Sequence, residues 1–137
     1  AGLLFAVLLY TPKPLQARRP GVSTDVRRLF NSEALASGGS VTATYGAVAD
    51  AELFSVAYKG SRAVVGQGAP NFKVEYLASL DGTNYAIPEA GGTIDASVTD
   101  DIWHNAIIVI PAGVSFQVVF TELGSLSSNV TLDVGSK

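Results

Sequence analysis

The feature that most constrains this chain is a period of two. Val114, Phe116, Val118 and Phe120 alternate with Ser115, Gln117 and Thr121. Phe72, Val74 and Tyr76 alternate with Lys73 and Glu75, Val41, Ala43 and Tyr45 with Thr42 and Thr44, and Val130, Leu132 and Val134 with Thr131 and Asp133. Successive side chains of a pleated strand point to opposite faces, so each run lays its large apolar groups on one face. Glycine, serine, proline and acidic clusters punctuate the runs, among them Ser37–Ser40, Gly66–Asn71, Glu89–Gly92, Pro111–Gly113 and Glu122–Ser128. About eight strands at spacings near ten residues, with no long helical pattern, predict an all-β fold: an antiparallel β-sandwich or jelly roll.

Individual stretches carry further expectations. Phe72–Pro88 reads as a hairpin in which Asp81 bonds the backbone ahead of it, Gly82 takes a positive φ and Tyr85 resumes the apolar pattern. Thr93–Val98 reads as a weak strand, Arg62–Val65 as a short one, and Ile102–Ile110 as a buried strand or two short ones. Ser23–Asp25 can cap a helical turn over Val26–Leu29, whereas the residues after Arg28 favour a strand.

Composition narrows the class. At 137 residues, with 47% hydrophobic and 15% charged, the chain suits one domain with a core rather than a disordered segment. We place that sandwich domain at residues 22–137. Cysteine is absent and histidine occurs once, which removes disulfide frameworks, thiolate metal sites and histidine-rich metal sites within one chain.

Residues 1–21 read as an extended arm. Ala1–Tyr10 is almost wholly apolar, far short of the ~20 residues that span a bilayer, and without the positive leader of a secretory signal. We therefore expect Ala1 to open the mature chain and no membrane to be involved. Leu3, Leu4, Phe5, Val7, Leu8 and Leu9 need cover, either as a strand on this domain or on a neighbouring copy. Pro12, Pro14 and Pro20 then extend the backbone. Residues 1–32 carry Lys13, Arg18, Arg19, Arg27 and Arg28 against Asp25 alone, while the remainder carries four basic against eleven acidic residues. A basic arm on an acidic body suits self-association; so few charges among prolines are thin for binding nucleic acid.

No set of residues stands out as an active site. His104 lies in an apolar run beside Trp103, where a packed or hydrogen-bonded imidazole is the expectation, and no GxSxG pattern supplies a nucleophile elbow. Thr99–Asp101 with Asp95 lacks the alternating spacing of a calcium loop. Asn129-Val130-Thr131 fits a glycosylation sequon, which matters only in a secretory pathway. Trp103, Tyr85 and Tyr76 can form an aromatic platform for sugars, against the alternative that Trp103 and Tyr76 anchor the core. No catalytic residue, metal or cofactor is predicted.

A strand ending in Ser79-Leu80-Asp81-Gly82-Thr83-Asn84-Tyr85, followed by apolar ladders, resembles the small β-sandwich structural proteins of tailed bacteriophages. The matching stretches are Tyr76–Pro88, Trp103–Pro111, Val114–Glu122 and Val130–Val134, within residues 40–134. The resemblance implies a non-enzymatic virion protein, a capsid decoration or minor head protein made in the host cytoplasm. Its partners would be a major capsid or other virion protein and copies of itself, with no small-molecule substrate. Residues 3–9 would add to a neighbour, and Arg18, Arg19, Arg27 and Arg28 would meet an acidic surface. The alternative is a carbohydrate-binding or adhesin-type module using Tyr85 and Trp103.

Overall fold

The computed structural model describes residues 25–46, 53–89 and 91–136. The predicted arm, including Leu3–Leu9, Arg18 and Arg19, lies outside the described residues. Eight strands follow in order: β1 (Asp25–Leu35), β2 (Ser40–Tyr45), β3 (Leu53–Arg62), β4 (Phe72–Ser79), β5 (Thr93–Val98), β6 (His104–Val109), β7 (Ser115–Glu122) and β8 (Ser128–Ser136). They form two four-stranded antiparallel sheets, β1-β8-β3-β6 (sheet A) and β2-β7-β4-β5 (sheet B). Apart from β4 and β5, which pair side by side in sheet B, consecutive strands pass from one sheet to the other, as in a jelly roll. The predicted all-β sandwich is the observed fold.

The alternation read from the sequence builds the core directly. Phe54, Val56 and Tyr58 of β3, and Val130, Leu132 and Val134 of β8, face Phe72 and Val74 of β4 and Phe116, Val118 and Phe120 of β7. Aromatic rings lock the layers: Phe120 lies 5.8 Å from Phe30, 6.3 Å from Tyr58 and 5.6 Å from Phe72. Towards the other end Phe116 contacts Tyr45 at 5.1 Å and Phe54 at 4.9 Å. Gly60 interrupts the inward row of β3 because the ring of Phe72, from the opposite sheet, fills the space a Cβ would need. The glycine is thus a packing residue, not a turn.

One end of the sandwich is closed by a buried ion pair. Arg62 Nη1 donates to Glu122 Oε2 at 3.0 Å, to the Leu126 carbonyl at 2.9 Å and to Ser128 Oγ at 3.2 Å. Ser128 Oγ donates to Glu122 Oε1 at 2.7 Å, and the Gly124 N–H to Oε2 at 3.1 Å. Both Glu122 oxygens are therefore occupied in a side chain that is fully buried.

Four local expectations are corrected. Arg62–Val65 is not a separate strand: β3 runs on to Arg62, and Val64 and Val65 lie exposed in the loop. The Phe72–Pro88 hairpin has its first strand and its turn, but the return reduces to one bridge, Ala78↔Ala86. The turn itself consumes the hydrogen-bonding groups that would have started a second strand. Asp81 Oδ1 accepts from the N–H groups of Thr83 and Asn84, each at 2.8 Å, and from Ser79 Oγ at 2.8 Å, while Ser79 Oγ accepts from the Gly82 N–H at 3.0 Å. Gly82 sits at φ 75°, as the turn requires. Ile102–Ile110 is not buried throughout: β6 is an edge strand with its outer face in solvent. At β1 the strand begins at Asp25, so no helical turn forms over Val26–Leu29.

The Asp81 turn has a consequence for acid stability. The N–H groups of Asn84 and Thr83, then the Ser79 hydroxyl, hold its carboxyl far below the usual carboxylate range. A group depressed in the folded state stabilises fully above its unfolded value of about 3.9, and that contribution fades as pH falls towards the folded value. In a carbon-detected NMR titration we expect Asp81 to be among the last carboxylates to protonate, and Asp81→Ala to lose the corresponding part of the acid-dependent stability. An Asp81 midpoint near 4 would refute the turn geometry.

Candidate functional site: a tryptophan-walled groove on sheet A

The outer face of sheet A is divided into two halves by its register. Outward residues alternate with the core: Asn105, Ile107 and Val109 on β6, Lys59 and Ser61 on β3, Asn129, Thr131 and Asp133 on β8. Trp103 immediately precedes β6 in the same phase, at the level where Lys59 pairs with Thr131. The result is a groove of about 220 Å³ lined by Trp103, Lys59, Ser61, Asn129, Thr131 and, from β1, Arg28 and Ser32.

The far wall of this groove is irregular for a physical reason. The register of β1 against β8 slips twice, between Arg28 and Phe30 and between Phe30 and Glu33. Ser32, in the second slip, takes φ 56°, and its N–H turns to Thr131 Oγ1 at 3.0 Å. A bulge re-aims side chains and bends its strand, and a non-glycine residue in the left-handed region is uncommon and concentrates at functional sites. Arg28 spends two of its five N–H donors on a bidentate pair with Asp133, at 2.8 and 3.0 Å, which fixes the guanidinium at the rim. The near wall is Trp103, 44% exposed. The core-anchor alternative for Trp103 is thereby removed, while Tyr76 does pack against the core.

Support for Trp103 comes from beneath. Neighbouring His104 stacks on Tyr58, centroids 5.5 Å apart and 13° from parallel, and its Nε2 is 2.6 Å from Asp100 Oδ1. This is the packed, hydrogen-bonded histidine expected from the sequence. Its hydrogen bond is the main reason the Asp100 carboxyl is shifted down. The Tyr58 hydroxyl crosses to sheet B and donates to Asp95 Oδ2 at 2.9 Å. Burial first, and then that hydrogen bond, push the Tyr58 phenol well above its ordinary value. Asp100 thus ties the loop before Trp103 to β6, and Asp95 ties β5, which leads into that loop, to sheet A. Asp95 and Asp100 are engaged in these contacts, and no group of three His, Cys, Asp or Glu side chains suited to a metal ion occurs among the described residues.

The other predicted site residues fall elsewhere. Tyr85 does not line the groove; it adjoins Ala86, which bridges to Ala78 on sheet B. Arg27 and Arg28 belong to β1, not to an arm: Arg27 lies over the Tyr45 ring at 4.6 Å and Arg28 holds Asp133. Sequence reading missed Lys59, Ser61, Asn129, Thr131 and Ser32 as neighbours of Trp103. Their phase within each strand was visible, but the strand order that assembles them was not.

Neither a family model nor a curated protein matches the chain. Among solved structures it is similar to the Yersinia pseudotuberculosis-derived mitogen, with TM-score 0.51 and 13% identity over 85% of this chain and 88% of that one. It is also similar to part of tripeptidyl peptidase 2, with TM-score 0.57 and 11% identity over 77% of this chain but only 9% of that one. A C-terminal CBM6 from a laminarinase of Zobellia galactanivorans matches at TM-score 0.42 and 9% identity, over 81% of this chain and 99% of that one. At these identities the first two likenesses establish a shared fold, and the chain is a β-sandwich module.

Proposed function

We propose that this module is a non-enzymatic recognition domain whose groove on sheet A binds carbohydrate. One observation carries the reading: the chain's single tryptophan, half-exposed, walls a shallow groove whose other residues are hydroxyl, amide and cationic groups. An indole offers a flat apolar surface to the C–H face of a sugar ring. Ser61, Thr131 and Asn129 can both donate and accept, as sugar hydroxyls require, and Lys59 and Arg28 add donors. The groove is open and shallow, suited to a saccharide lying along the sheet. The sole histidine is committed to Asp100 and Tyr58.

Glycan-array screening followed by calorimetry tests this. A saccharide ligand should bind, and Trp103→Ala should weaken it at least tenfold, about 1.4 kcal/mol, with the melting profile unchanged because the side chain is largely outside the core. A blank array, or unchanged affinity in Trp103→Ala, would remove the proposal.

A structural role in a phage particle is the second reading, and jelly rolls serve in viral capsids and lectins alike. What favours it is the other half of the same face, where Leu53, Ile107 and Val109 lie exposed together. Its test is the assembly measurement described next.

A further inference from the structure

The four edge strands of the sandwich are not protected equally. β1 carries two register slips and the charged Arg27, Arg28 and Glu33; β5 pairs irregularly with β4 and carries Asp95; β2 turns Thr42 and Thr44 outward. Such bulges, charges and polar faces are how exposed edges avoid pairing with other chains. β6 has none of them. It pairs with β3 alone among the described residues, in unbroken register from Leu53↔Val109 to Tyr58↔His104, and carries no charge after His104. Ile107 and Val109 on its outer face are 60% and 61% exposed, with Leu53 beside Val109 and Val26 in the same row as Ile107.

The side chains on the inner side of this edge are mostly apolar as well. Between β6 and β5 the sandwich opens into a cleft of about 490 Å³, lined by Tyr76, Pro88, Ile94, Ala106 and Ile108 among others. A strand laid along β6 would meet apolar surface on both of its faces. Most strands are polar on one face and would be mismatched there. One segment of this chain has the required pattern: Leu3–Leu9, LLFAVLL, apolar at every position.

The chain's own geometry lets this segment reach a neighbouring copy. Asp25 stands in one row with Ser136, Phe54 and Ile108, so the chain enters sheet A level with the end of β6, only three strand spacings or roughly 14 Å away. Residues 10–24, with Pro12, Pro14 and Pro20, reach up to ~50 Å when extended, far more than this crossing needs and enough to pass to an adjacent molecule. We propose that the Leu3–Leu9 segment of a second copy adds as a fifth strand to the edge of β6 left unpaired among the described residues, so that copies are joined by exchanged segments. Main-chain hydrogen bonds along β6 supply the attraction, and side chains alternately fill the inter-sheet cleft and cover Ile107 and Val109. This inference is independent of the groove and of what fills it.

The test is mass in solution, on full-length protein at tens of micromolar. The unmodified chain should be oligomeric. Ile107→Lys, at an exposed position, should give a folded monomer by mass and circular dichroism, and so should Phe5→Asp. Mixed in equal amounts, the two monomeric variants should form dimers, because one still donates an intact segment and the other an intact edge. A monomeric unmodified chain, an unchanged oligomer in either variant, or a mixture that stays monomeric would each overturn the exchange.

Discussion

Glu122→Ala lowers the unfolding free energy by about 3–5 kcal/mol, read from the midpoint of urea denaturation at neutral pH. The glutamate is fully buried at the end of β7 and accepts from Arg62, Ser128 and the Gly124 backbone. Removing it leaves a nearly buried guanidinium without its counter-charge and strips the Gly124 N–H and Ser128 hydroxyl of their acceptor. That desolvation cost, not the attraction of the pair itself, sets the size of the effect. Replacing both partners separates the two: Arg62→Met with Glu122→Leu should recover most of the loss, because an apolar pair carries no unpaired charge. A loss below about 1 kcal/mol for Glu122→Ala would mean that the pair is solvated and that this end of the sandwich is open.

Phe120→Ala has an effect of similar size from a different cause. Its ring is completely buried and meets Phe30 and Tyr58 from sheet A and Phe72 from its own sheet. Truncation removes the transfer energy of the ring and leaves a cavity between sheets that register prevents from collapsing, for about 3–5 kcal/mol. Phe120→Leu should lose less than half as much. If Phe120→Ala cost no more than an exposed substitution such as Leu80→Ala, the packing of the two sheets described here would be wrong.

Both positions sit on the strand that the sequence displayed most clearly. Val114–Phe120 alternates without interruption because β7 is central in sheet B, with one face on the core. β8, β4 and β2 were legible on the same grounds, since burial on one face is what alternation encodes. β6 was misread for a matching reason. Its run from Ile102 to Ile110 carries apolar residues on both faces, and periodicity cannot tell a strand buried inside its own domain from an edge whose outer face is exposed. The return of the Phe72–Pro88 hairpin failed because Asp81 and Ser79 satisfy the turn's donors locally, a competition between side chain and ladder that composition does not reveal.

The groove was half legible. Trp103 could be singled out as an aromatic able to meet a sugar, but pairing it with Tyr85 was an assumption about proximity that the sheet order does not support. Asn129 and Thr131 lie on β8, Lys59 and Ser61 on β3, and Arg28 and Ser32 on β1; only the order β1-β8-β3-β6 brings them alongside Trp103. The slip that turns Ser32 towards Thr131 has no sequence signature, since neither Asn31 nor Ser32 is a glycine.

The claim that the groove is the working surface is open to one direct measurement. Trp103 is the only tryptophan in the chain, so its intrinsic fluorescence reports this wall of the groove and no other place. In a titration with soluble oligosaccharides, a cognate ligand should shift the emission saturably, and Asn129→Ala or Lys59→Ala should weaken the response without altering the starting spectrum. An emission that stays constant across neutral, acidic and amino sugars at millimolar concentration would contradict the account.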